Sequence, residues 1–470
     1  MKKVLFTVLA GVLAGMTIAP ALAADDEKMF TFNGEVRARY EYLNNYFDLT
    51  DNDSGAAAFD DQMGITPYRV MVGITGTFEK NITAHVDLQY AGHFGDEFNP
   101  SKDNPFFLPF PTPVGQADAA YQFATQGVQL YSGWVDIGKI GGSDFGIRIG
   151  RMEHTYGTEL FLGDNDYYNG QTFDGIRGMW QHGSSDLNVF YYKISEENCF
   201  FGCFTVNGFG PGASADSNLW GATYDWKFKK WGTVGGEVLI AQDLGGDGPV
   251  TTPDSKVMTY GARWNRGMMT DDKLNMFDWN IEAAMQSGDE GDPAGAFTAD
   301  ISTWVLEGWF AFNFNAGNSH GRVHIGTLMT SGNEFNGTDE KDFFTLYGDF
   351  HANNRFGDLD WEDTLLGGPH NITDFNVGYE HWFGDAHYVM LAYHMFATTE
   401  SEFPGAEDKI GDEIDLKYGY RYSKNLSFEV AIGQMMPDDT FWTTVEAPPF
   451  GNGPTIDPVQ RAAFMAKLGW

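Results

Sequence analysis

The sequence predicts an all-β fold, an antiparallel barrel of about eighteen strands that crosses a membrane. Three observations predict it: apolar and polar residues alternate along many segments, the links between segments alternate in length, and aromatic residues are abundant. The 470-residue chain has 58 Gly, 39 Phe, 21 Tyr and 13 Trp, which favours strands and turns over helices. Beyond its first two dozen residues, the sequence has no apolar run of the roughly 18 residues that a transmembrane helix needs.

The start of the chain has the features of a secretory signal peptide. A basic pair, Lys2 and Lys3, precedes an apolar run and then small residues that end at Ala23. This order is typical of a segment that is removed on export. We therefore expect residues 1–23 to be the signal peptide and residues 24–470 to form the barrel.

The alternation is clearest in residues 30–42, "FTFNGEVRARYEY". Successive side chains of a strand point to opposite faces, so this pattern gives one apolar face and one charged face. The same period of two recurs in residues 68–78, 82–90, 277–286, 414–422 and 461–470. A barrel in a membrane would turn the apolar face to lipid and the polar face to the lumen.

The links between these segments are alternately short and long. Short links include residues 79–81, 183–185, 384–386 and 423–425, and long polar links include residues 92–124, 195–217, 287–302, 331–371 and 435–459. This arrangement is typical of outer-membrane barrels, which have short periplasmic turns and long extracellular loops. A soluble β-sandwich also alternates, but its apolar face would be a core without room for so many aromatic residues.

A barrel of this size is too wide for side chains alone to fill, so a channel or a plugged channel is expected. The long loops near residues 92–124 and 331–371 are candidates to fold over or into the pore. The link at residues 155–170 is expected to lie outside the barrel, as an extracellular loop.

Charged residues on the polar parity are expected to line the lumen, because a lipid-facing Arg near the membrane midplane costs roughly 2–4 kcal/mol. The candidate pore-lining residues are Glu35, Arg37, Arg39, Glu41, Arg69, Arg148, Arg151, Asp174, Arg177, Glu282, Arg322, Asp415 and Arg421. Two interpretations stay open: a salt-bridge network that stiffens the wall, or a series of arginines that guides anions.

Arg151 departs from the alternation, because it shares the parity of Ile149, which should face lipid. We expect either a β-bulge near Gly150 that turns Arg151 inward, or a position at the membrane edge.

Charge and composition limit the partners. The chain has 29 Lys and Arg against 65 Asp and Glu, which excludes nucleic acid, since phosphate binding needs clustered basic residues. The expected partners are outer-membrane lipid and lipopolysaccharide, and the barrel-assembly machinery through the last strand, which ends in Trp470.

Motifs that could carry chemistry are incomplete. Asp164 and Asp166 begin like a calcium loop, but Tyr168 and Asn169 stand where an EF-hand has Asp or Asn and then Gly. A looser calcium site in this loop stays open. The sequence has no Gly-x-Ser-x-Gly elbow and no Cys-x-x-Cys-His, so we expect no enzyme, no cofactor and no attached haem.

The two cysteines, Cys199 and Cys203, are interpreted as a disulfide or as free thiols. Export favours the disulfide, although a gap of three residues strains its geometry.

Four stretches in this order resemble the alginate-export family of outer-membrane barrels: "GEVRARYEYLNN", "IGRMEHTYGTELFLGDNDYYNGQTFDGIR", "FTLYGDFHANNRFGDLDWED" and "GDEIDLKYGYRYSKNLSFEVAIGQMMPDD". The resemblance implies an eighteen-stranded passive conduit that passes an anionic polysaccharide through an arginine-lined pore. It places Arg37, Arg39 and Glu41 in the first stretch, Arg148, Arg151, Asp174 and Arg177 in the second, and Asp415 and Arg421 in the last.

The expected function is therefore a passive channel in the bacterial outer membrane for a polar or anionic solute, with polysaccharide export as one form. A general small-solute porin, trimeric or not, is the alternative. A barrel that sheathes a cytochrome and a barrel enzyme are more distant alternatives.

Overall fold

The structure is a computed structural model. It describes residues 29–45, 63–79, 81–94, 128–167, 170–195, 216–244, 255–270, 273–291, 298–333, 343, 346–349, 371–400, 408–445 and 457–470.

The described residues form twenty-one strands. Strands β1 to β10 span Phe30–Asn44, Met63–Ile65, Pro67–Glu79, Ile82–His93, Gln129–Ile137, Phe145–Met152, Phe173–His182, Ser185–Ser195, Asp216–Phe228 and Gly232–Leu244. Strands β11 to β21 span Ser255–Arg266, Met269–Thr270, Lys273–Leu274, Phe277–Gly291, Thr298–Ala316, Ser319–Thr330, Ile372–Phe383, His387–Thr398, Lys409–Arg421, Leu426–Pro437 and Val459–Gly469. A 3₁₀ turn at Ile140–Gly142 and a short helix, α1, at Asp439–Val445 complete the elements.

Eighteen of these strands form one closed antiparallel barrel, so the predicted fold class and strand number are confirmed. The three short strands β2, β12 and β13 lie outside that count: β2 extends the pairing of β1, and β12 pairs with β13. Each long strand pairs with its neighbours in the chain, and β1 pairs with β21 to close the ring. Both ends of the barrel segment therefore lie at the end with the short turns.

The closing seam is held by a long register. It runs from Glu35 opposite Gly469 to Asn44 opposite Gln460. Trp470 then exchanges two backbone hydrogen bonds with Gly34, at 3.2 and 3.1 Å. A Cβ on Gly34 would lie 2.3 Å from the Trp470 indole, so the close approach of this ring requires a glycine.

The two faces of the wall differ as the alternation predicts. On β14 the outward residues Ile281 and Met285 are 46% and 67% exposed, whereas the inward residues Asp278 and Glu282 are 3% and 1% exposed. Exposed aromatic residues mark the end with the short turns, among them Phe78, Trp226, Trp231, Phe312, Phe383 and Tyr422. An apolar outer band with aromatic residues at its border suits a lipid environment. Among the described residues, no helix is both long and apolar enough to span a membrane.

The end with the long loops has an apolar interior. At that end the inward side chains of successive strands form a buried cluster, which includes Leu219, Leu239, Leu328, Ile372, Phe396, Met435 and Val459. Phe441 and Trp442 of α1 join this cluster, and the Trp442 indole donates a hydrogen bond of 2.9 Å to the Ile410 carbonyl. The lumen is therefore polar over most of its length and apolar towards the loops.

Candidate functional site: the lumen and the segment that crosses it

Residues 153–167 and 170–172, the described part of the link between β6 and β7, fold into the barrel; we call them the luminal segment. Leu160, Phe161 and Leu162 at its centre are at most 2% exposed and belong to the buried apolar cluster. The expectation that residues 155–170 form an extracellular link is therefore wrong. The apolar side chains leave water by packing against the inner wall, which stabilises the inward path.

Backbone pairing fixes the centre of the luminal segment. Tyr156 pairs with Leu162, and Leu162 pairs in parallel with Tyr347 of the long β16–β17 loop. The amide of Gly163 donates to the Tyr347 carbonyl at 2.9 Å, and the amide of Asp349 donates to the Glu159 carbonyl at 2.8 Å. The described part of the 331–371 loop thus packs inside the barrel, as expected for that loop.

One end of the luminal segment is held by an acidic row, the buried residues Glu237, Glu282 and Glu307 of β10, β14 and β15. The Thr158 amide donates to the Glu282 carboxylate at 3.0 Å, and the Thr158 hydroxyl donates to the Glu307 carboxylate at 2.6 Å. Gly157 has φ +65°, and a Cβ there would lie 2.6 Å from the Glu282 carboxylate. Glycine is needed for both reasons.

Tyr156 adds a second contact at this wall. Its hydroxyl lies 3.1 Å from an Asp225 carboxylate oxygen, and the Arg263 guanidinium lies 4.6 Å from its ring centre. Arg263 in turn donates two hydrogen bonds to Asp225, at 2.6 and 3.2 Å. A charge-assisted bidentate pair is among the stronger polar contacts in a protein, so it holds in place the two wall groups that Tyr156 contacts.

The other end of the luminal segment reaches a basic cluster at the closing seam, formed by Arg37 and Arg39 of β1, Arg69 of β3, and Arg461 and Lys467 of β21. The Asp166 carboxylate contacts Arg37 at 3.5 Å and forms an ion pair with Arg69. The Tyr167 ring lies 3.6 Å from the Arg39 guanidinium and 5.0 Å from that of Arg461. These are charge-assisted and cation–π contacts.

Wall carboxylates share the basic cluster. Glu35 binds Arg69 at 3.0 Å and Lys467 at 2.8 Å, and Glu41 binds Arg461 at 3.1 Å. These contacts form a salt-bridge network, as in the first interpretation of the charged wall, whereas guidance of anions stays a prediction. Among the described residues, Asp166 adds a carboxylate from the luminal segment to those of the wall.

His154, near the start of the luminal segment, is buried. Its Nδ1 lies 2.8 Å from the Tyr192 hydroxyl, and its ring meets Phe190 edge to face at 4.6 Å. Burial, with the nearby cations Arg177 and Arg148, lowers the pKa of His154 to about 3. The imidazole is therefore neutral at physiological pH and acts as a packed polar group.

Three carboxylates of the two inner loops lie close together: Glu159, Asp164 and Asp349 each offer an oxygen within 4.8 Å of the others. Burial, followed by the charges of Glu159 and Asp166, raises the pKa of Asp164 to about 7. Like charges at short range disfavour ionisation of the group. Oxygen donors of this kind suit a hard divalent cation, so among the described residues these three could hold a metal.

A cavity of about 610 Å³ lies between the luminal segment and the short-turn end. Its lining includes His154 and Tyr156 above, the wall residues Arg177 and Arg263, and Lys139 in the β5–β6 turn. The lining carries both signs of charge, so the cavity can hold a polar solute or water.

Ion pairs also line the side of the lumen opposite the cavity. Arg322 donates to Asp278 at 2.8 and 3.1 Å and pairs with Glu380. Next to it, buried His394 lies 3.0 Å from Asp374 and 3.8 Å from Asp415. These contacts join neighbouring strands and stiffen the wall.

The structure puts most of the predicted pore-lining residues on the inward face. Those that face inward and are buried or partly buried are Glu35, Arg37, Arg39, Glu41, Arg69, Arg148, Arg177, Glu282, Arg322 and Asp415. Arg421 shares the inward parity of Asp415 but is exposed, at the end of β19 beside the short turn. The structure brings together the β1 and β3 members, whereas Arg322 and Asp415 lie on a separate part of the wall.

Arg151 and Asp174 lie on the outward face, so the expectation that they line the lumen is wrong. They are opposite each other in register, on the parity of the exposed residues Ile149 and Ile176, and form an ion pair with an N–O distance of 2.8 Å. Arg151 also donates to the Leu130 carbonyl at 3.2 Å. Pairing an outward charge in this way lowers the cost of leaving water.

The predicted bulge near Gly150 is wrong as well. Strand β6 pairs in register through Gly150 with both β5 and β7. The irregularity lies in the neighbouring strand, where Asp87 opposes Ser132 and Leu88 opposes Leu130. The extra residue, Tyr131, is buried and donates a hydrogen bond of 2.6 Å to Glu153. Arg151 is in the second-last position of β6, so the alternative, a place at the membrane edge, fits.

Several residues of the site were not predicted from the sequence, namely Tyr156, Thr158, Tyr167, Glu307 and the apolar run Leu160–Leu162. A run of three apolar residues within a polar link was the available signal. Cys199 and Cys203, most of the 92–124 loop and residues 1–23, the expected signal peptide, lie outside the described residues.

A closed antiparallel barrel with an apolar outer face, a charged lumen and a loop folded inside defines a channel of the bacterial outer membrane. The sequence comparison agrees with this class. The profile of the alginate export family matches residues 29–447. The chain therefore belongs to the alginate export family, and the expected resemblance is confirmed.

Solved structures with the same fold are outer-membrane porins. OccK11 (OpdR) of Pseudomonas aeruginosa is 10% identical, with 94% of this chain and 95% of that chain covered and a TM-score of 0.55. OccAB4 of Acinetobacter baumannii is 11% identical, with 95% and 99% covered and a TM-score of 0.54. OccK2 (OpdF) of Pseudomonas aeruginosa in complex with glucuronate is 11% identical, with 94% and 97% covered and a TM-score of 0.54. At this identity the likeness shows the fold. A search of curated protein sequences found no match.

Proposed function

We propose that the channel passes anionic solutes between the luminal segment and the basic cluster, without covalent chemistry. The observation that carries this proposal is the clustering of Arg37, Arg39, Arg69, Arg461 and Lys467 on the inward face of three adjacent strands. A solute anion would exchange part of its hydration for guanidinium contacts there. The cavity on the periplasmic side would be the chamber from which it reaches the cluster.

Electrostatic focusing supports the same conclusion. The chain as a whole carries a formal charge of −36, yet five basic residues gather on this one part of the inner wall. Charges inside a narrow pore with walls of low dielectric constant act strongly on a passing ion. The basic cluster would therefore act directly on an anion that passes between it and the luminal segment.

The test is the reversal potential of single channels in a planar bilayer under a KCl gradient. We expect wild type to prefer chloride over potassium, and the double variant Arg37→Gln/Arg69→Gln to lose that preference. Arg151→Gln is the matched control, because it removes an arginine from the outer face, and it should behave as wild type. A wild-type channel that prefers cations, with no response to the double variant, would overturn the proposal.

Passage of small solutes is the second candidate, a general porin rather than a polysaccharide exporter. The luminal segment favours it, because its buried residues Leu160, Phe161 and Leu162 occupy the lumen where a polymer chain would have to pass. Micromolar block of the chloride current by a polyuronate would support export. High ohmic conductance that is indifferent to the polymer would support the general porin.

We also propose the partners expected from the sequence. Lipid and lipopolysaccharide would surround the apolar outer face, and the assembly machinery would bind the last strand, β21, which ends beside Trp470. Deleting Trp470 should slow appearance of the folded barrel in the outer membrane of intact cells. Normal assembly without it would contradict this part.

A further inference from the structure

We propose that Asp166 and Tyr167 act as an internal ligand of the basic cluster, and that the solute which displaces them carries an anionic group attached to a flat ring. The inference deepens the proposed function, on which it rests. It assigns the pair Asp166–Tyr167 as the determinant of solute class.

The contacts of the pair define what the site recognises. The Asp166 carboxylate lies between two guanidiniums from different strands, Arg37 and Arg69. The adjoining Tyr167 ring lies against the guanidinium of Arg39, at 3.6 Å, with Arg461 at 5.0 Å. The basic cluster thus binds a carboxylate and an adjacent ring at the same time. Guanidiniums suit both, through forked hydrogen bonds and through stacking on a ring face.

The pair is bound at the accessible end of the luminal segment. The Asp166 side chain is 36% exposed, whereas its partners Arg37 and Arg69 are 7% and 3% exposed. The centre of the segment, Leu160–Leu162, is buried in the apolar cluster. Displacement of Asp166 and Tyr167 can therefore leave that centre in place, and the arginines stay positioned by Glu35 and Glu41.

The backbone near the pair allows a local movement. Asn165 has φ +43° and Gly170 has φ +77°, and the Gly170 amide donates to the Asn165 carbonyl at 3.1 Å. Asn165 directly precedes Asp166 and Tyr167 in the chain. A rotation of the backbone at Asn165 would lift both side chains from the basic cluster together.

The exchange needs a solute with both features. Acetate offers a carboxylate without a ring, so it would replace Asp166 and leave Tyr167 on its arginines. Benzyl alcohol offers a ring without charge and would gain no ion pair. Benzoate offers both in one rigid molecule, which avoids ordering two separate groups and favours tighter binding.

The experiment measures block of the single-channel chloride current by these three probes. We expect the half-blocking concentration of benzoate to be about tenfold lower than that of acetate, with benzyl alcohol inactive, since the added cation–π contact of the ring corresponds to roughly that factor in a partly desolvated site. Asp166→Asn weakens the internal competitor, so it should lower the half-blocking concentration of benzoate several-fold and increase chloride preference. Asp166→Glu should restore values close to wild type.

Asp174→Asn is the matched control, because it removes one carboxylate from the outer face, and it should leave block unchanged. Heat-modifiable migration on detergent gels shows whether each variant forms the barrel. A chloride-selective wild type in which benzoate and acetate block equally, or in which Asp166→Asn changes nothing, overturns this inference and leaves the proposed function standing. A cation-selective wild type that no probe blocks overturns both.

Discussion

Gly157 is the residue on which the position of the luminal segment depends most directly. Its φ of +65° and the 2.6 Å approach of the Glu282 carboxylate leave no room for a Cβ. Gly157→Ala should release Thr158 from the acidic row. We expect larger and noisier single-channel conductance than in wild type, measured in planar bilayers.

Gly141→Ala is the control for the backbone cost of this change. Gly141 has φ +64°, with nothing within 4 Å of a Cβ, so it shares the left-handed conformation but not the collision. Each substitution costs about 1 kcal/mol for the conformation. Equal behaviour of the two variants would show that contact with Glu282 does not hold the luminal segment.

Asp164 should make the stability of the barrel depend on pH. Its pKa in the folded protein is about 7, above the ordinary value of 3.8, so the folded state binds more protons between these values. The free energy of unfolding therefore falls as pH rises from about 4 to about 7. Asp164→Asn removes this loss, so its gain in thermal midpoint over wild type should be larger at pH 8 than at pH 5.

The contribution of His154 to the free energy of unfolding has the opposite pH dependence, but it does not obscure this comparison. Its pKa is lowered to about 3 from 6.5, so its contribution is lost as pH falls below 6.5. The same histidine is present in wild type and variant, and the difference between them isolates Asp164. A difference that is the same at both pH values would contradict the assignment.

At the scale of the residue, the alternation predicted the orientation of side chains correctly where a strand is regular. The prediction failed where two residues three positions apart were both assigned to the lumen. Parity placed Arg37, Arg69 and Glu282 inward, as the structure has them. Asp174 and Arg177 are three apart, so a regular strand puts them on opposite faces. Arg177 faces inward and Asp174 outward, where it meets Arg151.

At the scale of the element, the closing strand β21 depends on the packing of Trp470 over Gly34. A Cβ at position 34 would lie 2.3 Å from the indole. Gly34→Ala should weaken the β1–β21 seam and lower the temperature at which the barrel changes mobility on detergent gels by several degrees.

Gly419→Ala is the matched control for the seam. Gly419 is also in a barrel strand, but its Cβ would meet Tyr388 at an ordinary 3.7 Å. We expect this variant to migrate as wild type. If both variants lose the same amount, the seam is no more sensitive than the rest of the wall.

The strands were predictable because each has its own alternation with a period of two. The alternately short and long links indicate how successive strands connect. The luminal segment was not, because the contacts that fold it inward are far apart in sequence. Asp166 lies 129 residues from Arg37, and Thr158 lies 149 residues from Glu307. A local pattern of acidic and tyrosine residues looks the same in an outer loop. The short apolar run at 160–162 was the one local sign.

At the scale of the whole molecule, one wall carries the basic cluster and the other anchors the luminal segment through the acidic row. The basic cluster of β1, β3 and β21 faces the acidic row of β10, β14 and β15 by way of the luminal segment. Thr158 at one end donates hydrogen bonds to the acidic row, Asp166 at the other end pairs with the basic cluster, and the apolar centre packs in the buried cluster. The sequence identified the charged walls, but it could not show that one loop joins them.

The most direct test of this account is the conductance of a channel that lacks the inner part of the luminal segment. Residues 155–170 would be replaced by Gly-Ser-Gly, and barrel formation would be checked by heat-modifiable migration. We expect this variant to show a several-fold rise in single-channel conductance and to pass larger uncharged polymers than wild type does. Unchanged conductance and an unchanged size limit would show that the segment does not narrow the lumen.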